Sequence, residues 1–260
     1  MDITGKIAVV TGGASGIGRA LSQRLMKEGA AQVVAVDMNG AGAEETAALA
    51  GCKAMQANVA VETDIQAVIE RTEAEVGPID LFVSNAGIFR PGGPDSSDAD
   101  WADSWAVNVM SHVYAARALV PLMIARGGGY LVNTASAAGL LNQIGSATYG
   151  VTKHAAVGFA EWLSITYGDK GIKVSVLCPQ AVRTAMTAAG PGVAGVDGML
   201  EPEQLCDTVM ECVREERFLI LPHPQVKDYM QRKTADYDRW LRGMRRLQEK
   251  FEGVPGGPKL

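Results

Sequence analysis

The sequence predicts an α/β domain, a doubly wound parallel sheet of seven strands with helices on both faces. Two observations predict it. Short, continuous apolar runs alternate with helical patterns along the whole chain, and a glycine-rich turn stands between the first run and the first helix. Continuous apolar strands are the kind buried on both faces. Strand–helix alternation implies right-handed crossovers and a parallel sheet.

The elements read in order as follows. Ile7-Ala8-Val9-Val10 is a strand, and Gly16 to Glu28 a helix with Ile17, Leu21 and Leu25 on one face, stopped by Gly29. Val33 to Val36 is the second strand and Ala54 to Ala57 a weaker third. Asp64 to Val76 is helical through Ile65, Val68, Ile69 and Thr72. Leu81-Phe82-Val83, Tyr130-Leu131-Val132, Val174 to Leu177 and Phe218 to Leu221 complete the strands. Helices over Trp101–Arg126, Thr148–Gly168 and Glu201–Arg214 connect them. No linker or internal repeat divides residues 1–260, so a single domain is expected. The Gly-, Ala- and Met-rich stretch 184–200 reads as a substrate lid, and 222–260 as a C-terminal helical extension.

Composition narrows the function classes. The chain has 260 residues and a net charge of −5, which argues against general nucleic-acid binding. No apolar run reaches the roughly 18 residues of a bilayer span, and Met1 to Lys6 lacks the order of a signal peptide. The four cysteines form no C-x-x-C pair and the three histidines lie far apart, so neither a metal site nor a disulfide scaffold is expected. The expectation is a reduced, cytoplasmic protein with no membrane or nucleic-acid partner.

After the first strand comes Thr11-Gly12-Gly13-Ala14-Ser15-Gly16-Ile17-Gly18. Glycines at 12, 16 and 18 let the backbone approach a ligand, and the free N–H groups of the following helix make an anion site. Asp37 ends the second strand, 19 residues after Gly18. A carboxylate there accepts hydrogen bonds from both adenine-ribose hydroxyls and repels a 2′-phosphate. Ala14, Ser15, Met38 and Asn39 offer no cation for such a phosphate, while Arg19 could swing either way. NAD is favoured over NADP.

With these residues in place the chain resembles the short-chain dehydrogenase/reductase family over residues 5 to about 221. Thr11 to Gly18 looks like its cofactor turn. Ser84-Asn85-Ala86-Gly87 resembles its N-N-A-G segment, with Ser for the first Asn. Asn108, Ser136, Tyr149 and Lys153 fall where its catalytic tetrad would fall. The resemblance implies a Rossmann-like fold and hydride transfer between a nicotinamide and a carbonyl or alcohol carbon. It implies cofactor contacts at Gly12, Ser15, Gly16, Ile17, Gly18, Asp37, Met38, Asn58, Val59, Asn85, Ala86, Gly87, Tyr149, Lys153, Pro179, Val182 and Thr184. It also implies a homo-oligomer, a dimer or tetramer.

The Tyr-x-x-x-Lys spacing occurs twice, as Tyr149/Lys153 and Tyr229/Lys233. Only Tyr149 opens a helix after a strand ending in a Ser, so Tyr229/Lys233 reads as ordinary helix surface. Removing an alcohol proton needs a base, and a free Tyr, with its pKa near 10, takes about 4 kcal/mol to half-ionise at pH 7. Lys153, one turn on, shares a face with Tyr149, and its ammonium favours the phenolate. Ser136 would hold the substrate oxygen. In the family Asn108 holds a water that relays protons from the Lys. In the reductive direction Tyr149 would donate the proton.

Two departures stand out. Gln180 replaces the glycine of the family's P-G-x-V-x-T segment, so either a left-handed backbone is strained there or the side chain faces substrate. Asn58 stands for the usual Asp near adenine. From Gln225 an apolar stripe runs through Val226, Tyr229, Met230, Tyr237, Trp240, Leu241, Met244, Leu247 and Phe251. It either packs on its own domain, covers the substrate mouth or docks on a partner subunit. Residues 222–260 carry nine basic and five acidic groups. The final Gly253 to Pro258 reads as flexible.

Ala138, Leu140, Gln143 and Gln180 are expected to line the substrate pocket, which is small and apolar in character. The expected function is therefore NAD-dependent interconversion of a hydrophobic, aromatic or alicyclic secondary alcohol and its ketone. The alternatives are an NAD-retaining epimerase or dehydratase, and a non-catalytic dinucleotide sensor.

Overall fold

The computed structural model describes residues 1–252; the Gly253–Pro258 segment lies outside the described residues. Seven short, largely apolar runs form the strands β1 (Ile7–Thr11), β2 (Gln32–Asp37), β3 (Lys53–Gln56), β4 (Leu81–Ser84), β5 (Gly129–Thr134), β6 (Ile172–Leu177) and β7 (Leu219–Ile220). They pair in parallel in the order β3-β2-β1-β4-β5-β6-β7. β1, β4 and β5 sit in the middle and are buried nearly end to end, whereas β3 exposes Lys53 and Gln56 at the edge.

Alternate residues of each strand feed two cores. On one face α3 (Glu62–Glu75), α5 (Ser111–Ala125) and α7 (Ala147–Tyr167) place Ile65, Leu119 and Ala160 over Val9, Val34 and Phe82. On the other, α1 (Gly16–Lys27) and α8 (Pro202–Arg214) place Leu21, Leu25, Leu205 and Met210 over Val10, Val33 and Leu81. Each such buried side chain stabilises the fold by about 1.5–3 kcal/mol. The chain reverses its direction of winding between β1 and β4, and a cleft opens there at the carboxyl ends of the strands.

The structure adds elements that periodicity missed. α2 (Gly40–Ala50) is alanine-rich and buries only Ala43 and Thr46, so no strong apolar stripe announces it; Asn39 caps it by accepting from Gly42 N at 3.1 Å. The long helix expected from Trp101 begins earlier, as α4 (Asp98–Trp105), because the Ser97 hydroxyl caps Asp100 N at 3.1 Å. A wider turn, Ala106–Met110, then interrupts it before α5. The run Asp98–Ala125 is long and apolar enough to cross a bilayer by composition, but half of its most apolar window is buried in this fold. α6 (Ala138–Leu141) is a single turn after β5. The C-terminal stripe is two helices, α9 (Gln225–Ala235) and α10 (Tyr237–Phe251), broken at Asp236, whose extended backbone and carboxylate start the second by accepting from Arg239 N at 2.9 Å.

Candidate active site

Two cavities meet at the carboxyl ends of β1, β4, β5 and β6. The first, about 350 Å³, begins at the glycine turn. Gly12 has φ +68°, and a Cβ there would lie 3.0 Å from the Ala86 backbone. A Cβ at Gly18 would lie 2.0 Å from the Gly12 carbonyl oxygen. Gly18 therefore does not line the cavity as expected of a contact; it lets the first turn of α1 close on β1. Ser15 caps α1 with extended backbone and makes no side-chain cap bond, leaving its hydroxyl and the first-turn N–H groups for an anion in the cavity.

Asp37 and Met38 line the same cavity. The Asp37 carboxylate is set by two backbone donors, Ala14 N at 3.1 Å and Asn39 N at 2.9 Å. The open question of Arg19 has a clear answer: its guanidinium donates to Ala14 O and Glu45 Oε2, each at 2.6 Å, and to Thr46 Oγ1 at 3.0 Å. It is held off the cavity wall. Asn58 and Val59 line the cavity too; Asn58 Oδ1 accepts from Ala60 N at 3.0 Å, which fixes its side chain.

Asn85 joins the ends of three strands, its Nδ2 donating to Thr11 O at 3.0 Å and its Oδ1 accepting from Thr134 Oγ1 at 3.4 Å. Ala86 and Gly87 follow on the cavity wall. A Cβ on Gly87 would meet Asn108 Oδ1 at 3.3 Å and Lys153 Nζ at 3.4 Å, so the glycine makes room for both. Asn108 is fully buried and does not line the cavity. Its amide clamps the Ile88 backbone, accepting from Ile88 N at 2.9 Å and donating to Ile88 O at 3.0 Å, and it donates to Thr152 Oγ1 at 3.1 Å. Both amide hydrogens are spent on the protein, so the side chain positions the wall rather than donating to a ligand. The wider helical turn at 106–110 turns it inward.

Ser136, Tyr149 and Lys153 share the inner wall. Ser146 caps α7 by accepting from Tyr149 N at 3.2 Å, which fixes the start of the helix carrying the phenol. Phe89 meets the Tyr149 ring edge-on at 5.3 Å. Ser136 Oγ accepts from Ala138 N at 3.1 Å and donates to Pro179 O at 3.3 Å, a long bond. Lys153 is buried, donates to Thr134 O at 3.0 Å, and holds its Nζ 5.6 Å from the Tyr149 ring centre. Burial pushes its ammonium down to about 8. Burial also pushes the Tyr149 phenol above its usual value, which favours the protonated form, the one that donates.

Pro179, Gln180, Val182 and Thr184 complete the cofactor cavity. Among the described residues only Asn142 and Glu216 are non-glycines in the left-handed region, so Gln180 is unstrained. Its N–H donates to His223 Nδ1 at 3.2 Å, and its side chain lines both cavities.

The second cavity, about 510 Å³, opens from Ser136 and is lined by Ala138, Gln143 and Gln180 as expected. Leu140 is not on it. That side chain is half-buried against the core, and the neighbouring, buried Leu141 reaches the cavity in its place. Tyr229 and Lys233 are not plain helix surface either. Tyr229 lines this cavity and donates to Asp197 Oδ1 at 2.9 Å, while Lys233 Nζ donates to Leu140 O at 2.6 Å. α9 and α10 thus supply the far wall, including Trp240, Met244 and Leu247. The tail's apolar stripe was the signal for these residues, but nothing in the sequence placed it against Ser136.

Comparison with known proteins gives the family and the fold. The family pattern described as short chain dehydrogenase matches residues 6–191. The chain is 33% identical to a 1-deoxy-11-beta-hydroxypentalenate dehydrogenase of Streptomyces exfoliatus, over 87% of this chain and 86% of that protein. It is 38% identical to a 2,5-dichloro-2,5-cyclohexadiene-1,4-diol dehydrogenase of Sphingobium indicum, over 71% of this chain and 76% of that one. A solved short-chain dehydrogenase/reductase of Burkholderia phymatum, in complex with NAD, superposes with a TM-score of 0.84 at 28% identity, covering 92% of this chain and 96% of that one.

Proposed function

The chain belongs to the short-chain dehydrogenase family, and on that premise we propose that it interconverts a hydrophobic alicyclic or aromatic secondary alcohol and its ketone with NAD(H), Tyr149 exchanging the proton. It is an oxidoreductase acting on hydroxyl or carbonyl groups and it binds a nicotinamide dinucleotide. The observation that carries the finer reading is that Ser136 lines both cavities, so the dinucleotide cleft opens into the apolar one at the residue that would hold the reacting oxygen.

The residues present fit the dinucleotide: a Cβ-free turn at Gly12 and Gly18, an uncommitted Ser15 hydroxyl, and a ribose carboxylate at Asp37. The preference for NAD rests on Asp37 facing the cavity while Arg19 is locked onto Glu45. When bound, the nicotinamide supplies the hydride acceptor or donor. The protein's own part is to hold the substrate oxygen with the Ser136 hydroxyl and to move one proton at Tyr149 Oη. In reduction the protonated phenol donates to the carbonyl oxygen; in oxidation the phenolate takes the alcohol proton. Lys153, charged and dry, stabilises the phenolate that remains. Two related proteins bear the names of a hydroxypentalenate and a cyclohexadiene-diol dehydrogenase, which supports a ring-bearing alcohol here.

The test follows absorbance of reduced nicotinamide with a panel of alicyclic and aryl ketones, using NADH and NADPH separately. Turnover with NADH, and weaker turnover with NADPH, is expected. Product isomerisation without net change in the nicotinamide would replace this reading with an epimerase.

A further inference from the structure

We propose that the second cavity selects an anionic substrate, a ring-bearing apolar body with a carboxylate at the end remote from the reacting carbon, held by Arg232, Arg239 and Arg246. This deepens the oxidoreductase reading and rests on it for the position of the reacting end. The arginines carry the argument. Each of the nine from Arg19 to Arg217 holds a carboxylate within 4.0 Å. The five on α9 and α10, Arg232, Arg239, Arg242, Arg245 and Arg246, hold none among the described residues.

Three of those five line the cavity, and Arg242 and Arg245 do not. Arg239 and Arg246 are seven residues apart on α10, which keeps them on one helix face. Arg232 lies over the Tyr229 ring, 5.7 Å from its centre. An Arg246 terminal nitrogen folds back to 3.9 Å from where a Cβ on Gly243 would stand, and Gly243 itself lines the cavity. Asp236 is the one carboxylate in the lining, and it is engaged as the cap of α10, accepting from Arg239 N at 2.9 Å.

The lining therefore joins an excess of positive charge to an apolar wall of Leu141, Val193, Trp240 and Met244. A guanidinium fork matches a carboxylate in geometry and charge. All three side chains are exposed, so the attraction is short-ranged and weakens with salt. The cavity is concave and ends at Ser136, so its occupant is a small molecule that reaches from the arginines to the catalytic wall.

Two probes decide the matter by fluorescence titration of the full chain: 8-anilinonaphthalene-1-sulfonate, apolar and anionic, and N-phenyl-1-naphthylamine, apolar and neutral. In the double variant Arg239→Gln/Arg246→Gln the sulfonate is expected to lose about tenfold in affinity, or about 1.4 kcal/mol. The neutral probe reports that the cavity still folds, and Arg239→Lys/Arg246→Lys recovers part of the loss. Equal loss for both probes, or no loss for the sulfonate, overturns the proposal. A turnover pair separates it from the underlying reading: 3-oxocyclohexanecarboxylate and its methyl ester, each with NADH. A preference for the acid that collapses in the glutamine variant is expected, through KM. Failure of both ketones to turn over tells against the alicyclic-ketone reading of the substrate, while the titration still decides the role of the arginines.

Discussion

Replacing Lys153 by Met should change how the stability of this fold depends on pH. The ammonium is 2% exposed and donates to Thr134 O at 3.0 Å. Burial lowers its pKa from 10.5 to about 8. Between those values the unfolded chain holds a proton that the folded chain has shed, so stability rises with pH across that window. Below pH 8 the cost of keeping the group charged and dry is fully present, about 3 kcal/mol at 1.36 kcal/mol per pKa unit; above pH 10.5 it is gone. Urea unfolding of the parent and of Lys153→Met at pH 7, 8, 9 and 10 measures it. The difference between them isolates Lys153, because the other groups are common to both. That difference should move in favour of the parent by about 2–3 kcal/mol from pH 7 to pH 10. A flat or falling difference would show a hydrated ammonium and refute its placement in a dry site beside Tyr149.

Three further outcomes are expected. Tyr149→Phe should lower turnover by about 10²–10⁴-fold while NADH fluorescence titration shows nearly the parent affinity; a collapse of that affinity would mean the phenol's role is misread. Asp37→Ala should raise the NADPH-to-NADH ratio of kcat/KM, and an unchanged ratio removes Asp37 as the discriminator. Gly18→Ala would drive a methyl to 2.0 Å from the Gly12 carbonyl, costing about 1–3 kcal/mol of stability and weakening dinucleotide binding; a melting temperature and affinity equal to the parent's would contradict the close packing.

The sheet and the glycine turn were legible because their signals are local. Val-rich runs such as Val33 to Val36 declare burial on both faces without reference to the rest of the chain, and Gly12 and Gly18 declare a backbone that tolerates no Cβ. Tyr149 and Lys153 share a helix face by spacing alone, so the inner wall of the site could be read from four residues of distance. α2 was not legible, since a helix of alanines with two buried residues carries almost no periodic signal.

Only the tertiary structure decided what surrounds that wall. Asn108 could be named by position, yet its commitment to Ile88 and Thr152 depends on strands and helices meeting from 20 and 44 residues away. Leu140 and Leu141 are equal in sequence; the packing of α6 against α7 and α9 buries Leu141 at the cavity wall and leaves Leu140 half-buried against the core, off the cavity. The break at Asp236 turns α10 back so that Arg239, Trp240 and Arg246 line one cavity with Ser136 and with Arg232 of α9. Amphipathic spacing tells that a helix has an apolar face. It carries no information on what that face covers, because long-range packing sets the partner.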